Sequence, residues 1–253
     1  ESHGKALVVR DALGAAIPGA GVGCGIARNA LAALAAREGG SPFARESLTE
    51  DYELGLKIAQ VGGRGRFIRV RGCDGRLIAT RAFFPTGRDE SVRQKTRWMH
   101  GIALQGWDRL GWDRKPVDLW MQLRDRRGPL AAILLVLAYS LLVFAAISMM
   151  LSELHIVALP AISPLLSALL WLNLFGVAMR FLMRACFTAR EYGWRQGLIA
   201  IPRTFVSNII AIMAGRRALI AYIKTLRGAP VIWDKTEHWD HPALLKTVDK
   251  AGA

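Results

Sequence analysis

Acidic residues are in short supply in this 253-residue chain: 20 Asp and Glu stand against 34 Lys and Arg, a formal net charge of +14. Cysteine is scarcer still. The three present, Cys24, Cys73 and Cys186, lie too far apart in sequence to read as a disulfide framework or a thiolate metal site. Neither a dinucleotide fingerprint nor a P-loop occurs. The opening ESHGKALVVRD carries no signal-peptide pattern, and the chain reads as a fragment whose upstream part is missing. Apolar residues, by contrast, make up 52% of the chain and the mean hydropathy is +0.24, which excludes intrinsic disorder. The positive excess asks for an anionic partner: nucleic acid, lipid headgroups or a phosphate-bearing substrate.

Oil and charge are segregated along the chain. Residues 1–128 mix 22 Lys and Arg with 14 Asp and Glu, as a basic globular segment does. Pro129–Leu151 is then a run of 23 residues whose only ionisable side chain is Tyr139. At about 1.5 Å per residue such a helix crosses a hydrocarbon core of about 30 Å. Ile156–Met179 adds 24 uncharged residues, with Pro160 and Pro164 near its start. Arg124, Arg126 and Arg127 precede the first span; Arg180, Arg184, Arg190 and Arg195 follow the second; the connecting SELH, read as a tight turn, has no Lys or Arg. The positive-inside rule then puts both ends of the pair in the cytoplasm.

A third apolar stretch, 197–214, contains Pro202 and Arg203 and has basic flanks, which suits an amphipathic helix in the cytoplasmic interface better than a third span. Residues 180–227 hold nine Lys and Arg and one acid, a cluster attracted to anionic lipid. Nucleic acid is the rival partner, and the adjoining spans argue against it. The tail from Gly228 is near neutral and contains WDKTEHWDHP.

In the first half, Ala6–Arg10 has strand character, followed by a glycine-rich turn around Gly23–Cys24–Gly25 and a helix from near Ile26. Gly-rich loops before helices bind phosphate or simply turn the chain tightly, and both readings stand. SLTEDYELGLKIAQVGG reads as a helix entered through a Ser47/Glu50 capping box and ended by Gly62–Gly63. Thr49–Glu50–Asp51 at its start are acids beside a helix dipole, or a general base. Residues 67–71 and 76–81 predict two strands about an Asp74–Gly75 turn. A helix from Glu90 to about Asp108 places Gln94, Arg97, Trp98, Ile102 and Gln105 on one face. An indole beside a guanidinium and an amide suits a sugar or a pyrophosphate; it also suits anchoring at a membrane surface, as Trp107, Trp112 and Trp120 do.

Thr49–Glu50–Asp51, the Gln94–Lys–Thr–Arg97–Trp98 motif 43 residues after Asp51, and paired spans follow in an order that resembles the membrane-embedded family 2 glycosyltransferases, such as cellulose and hyaluronan synthases. The tail VIWDKTEHWDHP is more specifically similar to the branch related to the bacteriophage N4 adsorption protein B. The resemblance implies an α/β, GT-A-type transferase domain, incomplete here (1–128), then a transmembrane pair (129–151 and 156–179, with a third span as the alternative), then a basic amphipathic segment and tail (180–253).

It further implies an inverting hexosyltransferase of polysaccharide biosynthesis at the bacterial inner membrane, working from a nucleotide-sugar donor onto a glycan acceptor. Asp51 would be the base, Glu50 and Thr49 would shape the acceptor site, and Gln94, Arg97 and Trp98 would hold diphosphate and acceptor. Gly23–Cys24–Gly25 would line the acceptor site. One departure is plain: no Asp-x-Asp occurs, although the family uses one for a divalent metal, Mg2+ or Mn2+. The resemblance therefore leaves the metal ligands outside this chain and the chain inactive alone. A non-catalytic membrane scaffold, transport component or phage-receptor component that kept the fold is the alternative.

Overall fold

The computed structural model describes residues 2–44, 46–75, 77–78 and 87–231. Two compact units result: Leu130–Ile212, and Ser2–Pro129 together with the chain from Met213.

The second of these holds α1 (Ser2–Ala12), α2 (Arg28–Arg37), α3 (Glu50–Gln60), α4 (Arg88–Trp98), a π-helix (Met99–Gln105), α5 (Gly106–Leu110) and α6 (Pro116–Arg126). The expected strand at Ala6–Arg10 is instead part of α1. The buried residues Leu7 and Arg10 are three apart and share a helical face, a period that alternation would not give. The two strands expected at 67–71 and 76–81 reduce to one antiparallel bridge, Arg71 to Leu77, closed by the Ile78 amide donating to the Val70 carbonyl at 2.9 Å. Ile68, Val70 and Ile78 are exposed there, so no apolar face is covered to reward a longer ladder. The turn itself forms as read, with Gly75 at φ +73°; residues 79–81 lie outside the described part. No other strand occurs among the described residues, and the α/β expectation is not met there.

Helix α3 ends where Gly62 (φ +86°) was expected to end it. Its start differs from the predicted capping box. Thr49 is the N-cap, without a side-chain cap bond, because the Ser47 hydroxyl is engaged elsewhere: it accepts from the Thr49 amide and donates to Glu53. The core of this unit includes Leu34, Leu48, Leu54, Leu56, Val92, Met99 and Met121. Three elements are tied by a polar knot. Asp125 of α6 accepts from Arg10 of α1 at 2.6 Å and from the hydroxyl of Tyr52 in α3 at 2.8 Å. Asp118 of α6 accepts from the Ala16 amide at 2.7 Å.

The other unit contains α7 (Gly128–Glu153) from Leu130 onward, α8 (Pro164–Tyr192), α9 (Trp194–Ile199) and the first half of α10 (Pro202–Leu226). α7, α8 and α10 are each long and apolar enough to cross a membrane. Leu141, Phe144, Leu165 and Trp171 stand exposed, a surface that suits lipid rather than water. The second crossing begins at Pro164, not at Ile156. The residue before a proline avoids helical geometry, so Pro160 holds the preceding stretch extended, whereas Pro164 suits the first helical position. Ser163 caps that start, accepting from the Leu166 amide at 3.2 Å. The expected SELH turn is accordingly longer: Ser152 and Glu153 finish α7, His155 adopts φ +58°, and the chain stays non-helical to Ser163.

The helix expected over 197–214 divides into α9 and the much longer α10. Within the membrane-type unit, Asn208 of α10 donates to the Tyr139 hydroxyl of α7 at 3.1 Å, giving each polar group a partner. Within the other unit, the second half of α10 buries Ala214 and Ala218 completely and sends the Tyr222 hydroxyl to Asp108 at 2.9 Å.

Candidate active site

Asp51 sits in the first turn of α3, where helix amides and dipole favour a carboxylate. Its Oδ1 accepts from the Tyr52 amide at 2.8 Å, which fixes the carboxylate's orientation. Its Oδ2 faces Gly21: a Cβ built at Gly21 would lie 2.9 Å from it, and Gly21 also holds φ +75°. Gly19 passes closer still, since its Cβ would meet the Asp51 carbonyl oxygen at 2.4 Å. Gly55, one turn further along α3, leaves room for the same loop at Ile17–Gly19. Glycine is thus required on both sides of this crossing.

The loop residues predicted from the sequence, Gly23, Cys24 and Gly25, are exposed. Cys24 Sγ turns inward onto its own loop, accepting from the Ala20 amide at 3.5 Å. The glycine that faces the carboxylate is Gly21, a few residues earlier, and Gly19 lies against the Asp51 backbone.

Thr49 is 4% exposed and its Oγ1 has no partner among the described residues; Glu50 is half-buried. Of the second motif, Gln94 is buried, Arg97 is half-buried with an unpartnered Nε, and Trp98 is exposed. The single face predicted for Gln94, Arg97, Trp98, Ile102 and Gln105 is interrupted by the π-helix. Its wider turn changes the angular register of every later residue.

Gly101 thereby comes against Thr49, where a Cβ would lie 2.6 Å from Oγ1 and 2.8 Å from Cγ2. Gln105 becomes buried against the segment before α3. Its Oε1 accepts from the Leu48 amide at 3.1 Å and its Nε2 donates to the Glu46 carbonyl at 2.8 Å. A turn later Arg109 Nε donates to Glu53 at 2.9 Å, and Ser47 donates to the same carboxylate at 2.6 Å. Glu53, fully buried, escaped sequence reasoning because it looked like one more first-turn acid. Its burial between a serine and an arginine depends on contacts 56 residues apart.

Electrostatics around the site follow burial. The Tyr52 phenol is pushed well above its ordinary value by desolvation and by Asp125, so it remains a donor. Burial lowers the Arg126 guanidinium from its usual value and lowers the His100 imidazole, with Asp108 opposing the latter in part. Arg126 lies 4.4 Å over Trp112, whose ring meets Trp107 edge-on at 4.8 Å. No group of three or more His, Cys, Asp or Glu able to hold a metal ion occurs among the described residues. No such cluster among the described residues is thus available to the divalent cation that the family resemblance implies.

The two motif regions meet just beyond Trp98, where Gly101 packs on Thr49 and Gln105 binds the Glu46–Leu48 segment. The chain belongs to the Glycosyl transferase family group 2, whose family model matches residues 1–188. More particularly, it is 34% identical over 265 aligned positions to the Bacteriophage adsorption protein B of Escherichia coli (strain K12), and equally to the Bacteriophage N4 adsorption protein B of Escherichia coli O157:H7. Each match covers 96% of this chain and 35% of the relative, so the chain spans about a third of those proteins' length. The specific likeness to the adsorption-protein branch is thus borne out. No solved structure gives a significant match.

Proposed function

We propose that this chain provides the acceptor-side and diphosphate-side residues of an inverting glycosyltransferase at the bacterial inner membrane. It transfers a hexose from a nucleotide sugar to a growing glycan. Asp51 takes the proton from an acceptor hydroxyl; the acceptor oxygen attacks the anomeric carbon; and the bond to the nucleoside diphosphate breaks on the opposite side, inverting the centre. The electron pair leaves with the diphosphate, which the Arg97 guanidinium neutralises, Gln94 lying in the same helix. Trp98 offers an exposed indole face to the acceptor sugar. Thr49 and Glu50 shape the acceptor side.

The observation supporting this reading most directly is the Asp51 carboxylate. One oxygen is held by the Tyr52 amide, and the other faces Gly21, which has no side chain to cover it. The orientation argued from flanking arginines puts the catalytic residues and the C-terminus on the cytoplasmic face, where nucleotide sugars occur, and the basic residues of 180–227 on anionic lipid. A divalent metal is expected for the complete enzyme, from residues other than these.

The test is Asp51→Asn in the full-length protein, in membrane vesicles supplied with radiolabelled nucleotide sugars. Transfer falls by at least a thousandfold while membrane insertion is unchanged; undiminished transfer refutes the base assignment. A second reading, a non-catalytic component of a phage receptor, is favoured by the relatives' printed name, adsorption protein. It predicts that phage adsorption to cells carrying Asp51→Asn equals wild type. The transferase reading predicts its loss wherever the receptor is the glycan.

A further inference from the structure

The helix carrying Gln94, Arg97 and Trp98 does more than present those three side chains. Beyond its motif it runs into the π-helix and α5, from which Gln105 reaches the residues that lead into Thr49–Glu50–Asp51 and Arg109, one turn on, reaches Glu53 in α3. The Gln105 amide straddles Ser47, accepting from Leu48 N at 3.1 Å and donating to Glu46 O at 2.8 Å. Arg109 holds Glu53 at 2.9 and 3.2 Å, and Glu53 accepts from Ser47 at 2.6 Å. The Ser47 hydroxyl accepts in turn from the Thr49 amide at 3.2 Å. Ser47, Leu48, Thr49, Glu53 and Gln105 are buried, so water is kept from the Leu48–Gln105, Ser47–Glu53 and Thr49–Ser47 bonds, while the bonds to Glu46 and Arg109 are part-buried.

An amide is suited to this place. It offers a donor and an acceptor side by side, and a main chain passing the side chain edge-on needs one of each. A segment bound through both an N–H and a C=O has little freedom to slide. Its next residues are the N-cap and the base.

We infer that Gln105 is a positioning residue for the transfer step: it registers the Thr49–Asp51 turn against the helix that bears Arg97 and Trp98. The base and the diphosphate-binding guanidinium then move as one body. The inference rests on the proposed role of Asp51 and adds a residue outside both motifs. Misplacing a base by about 1 Å costs on the order of a hundredfold in rate, so a clamp on its backbone is worth keeping.

The experiment uses the full-length protein in lipid nanodiscs with Gln105→Met, which keeps length and volume but neither hydrogen bond. Amide hydrogen exchange over residues 47–51 should quicken at least tenfold, while 54–60 in α3 is unchanged. With the nucleotide sugar that wild type turns over, kcat should fall at least tenfold and KM stay within twofold. Binding of UDP or GDP, whichever wild type binds, should keep its stoichiometry, which partial unfolding would reduce. Gln105→Glu retains the acceptor for Leu48 and loses the donor to Glu46, so it should be intermediate in exchange and in kcat.

Unchanged exchange over 47–51 overturns the clamp whatever the activity. Faster exchange with unchanged kcat overturns its role in positioning, provided that Asp51→Asn abolishes transfer in the same preparation. If Asp51→Asn transfers normally, the base assignment itself has failed, and the positioning role fails with it for that distinct reason.

Discussion

Replacing Gly101 by alanine tests the packing of the two motif regions directly. The new Cβ would stand 2.6 Å from Thr49 Oγ1, 2.8 Å from Thr49 Cγ2 and 3.1 Å from Leu48 Cβ. Carbon atoms pack comfortably at about 3.5–4.0 Å, so the π-helix and the start of α3 must part by nearly an ångström. Thr49 cannot swing aside easily: it is buried, and a β-branched side chain has few rotamers. Overpacking of this kind costs about 1–3 kcal/mol. Alanine returns up to about 1 kcal/mol by restricting the unfolded chain. The net expectation is a loss of about 1–2 kcal/mol, read as a drop of roughly 3–6 °C in melting temperature for a protein of this size.

Thr49→Ala removes both clashing atoms together with a hydroxyl that has no partner, so the double variant should recover most of the loss. The coupling energy in that double-mutant cycle should be about 1–2 kcal/mol in favour of the pair. Gly128→Ala serves as the control, its Cβ lying 3.3 Å from Cγ of the flexible Met99. Thermal unfolding of detergent-solubilised protein, followed by intrinsic fluorescence, measures wild type, the three variants and the control. A Gly101→Ala protein that melts like wild type, or one that Thr49→Ala does not rescue, would show that this contact does not set the spacing.

Two further outcomes follow from buried groups. Burial lowers the His100 pKa, and its Nε2 has no partner among the described residues, so the folded state keeps the ring neutral while the unfolded state protonates it near pH 6.5. That contribution to stability is complete above the unfolded value and is lost as pH falls below it toward the lowered folded value. Melting temperature should therefore drop between pH 7.5 and 5.5, and drop less in His100→Phe, which keeps an aromatic ring against Tyr222; equal slopes would contradict the assignment. Tyr52→Phe deletes the donor to Asp125 and leaves Arg10 as that carboxylate's partner. A hydrogen bond to a charged group contributes about 1.5–3 kcal/mol, so the variant should melt roughly 4–8 °C lower, with the base Asp51 still in place. No measurable change would mean that the α1–α3–α6 knot does not stabilise the fold.

Much of this molecule is legible in one dimension. The long apolar helices declare themselves because 23 residues without a charge are enough to cross a bilayer core, and the prolines were visible even though their effect on the second helix start was not. Glycine after α3 and glycine in the 72–75 turn gave local signals that the structure repeats. The strand readings at 6–10 and 67–71 failed for a common reason. β-Branched runs are ambiguous until a partner face exists: 6–10 buries Leu7 and Arg10 at helical spacing, and 67–71 leaves Ile68 and Val70 exposed.

The candidate site divides in the same way. Motif spacing pointed to Asp51, Gln94, Arg97 and Trp98, since each is a residue type with a chemical task. The glycines at 19, 21 and 101 and the side chains of Glu53, Gln105 and Arg109 carried no such mark. Their value comes from atoms brought near by folding: a carbonyl, a threonine methyl, a backbone amide. Gln105 illustrates this best. The straight-helix reading aligned it with Trp98, and the π-helix moved it into the interior.

By itself the sequence determined the class of the chain, its long apolar helices and the two candidate motifs, because these depend on composition, run length and local spacing. Only the tertiary structure decided which glycines meet Asp51, where the second membrane-type helix begins, and how the turn bearing Asp51 is fixed to the helix bearing Arg97. Those outcomes rest on contacts between residues tens of positions apart, where an ångström of clearance or one shifted helical register changes the answer, and no local pattern carries that information.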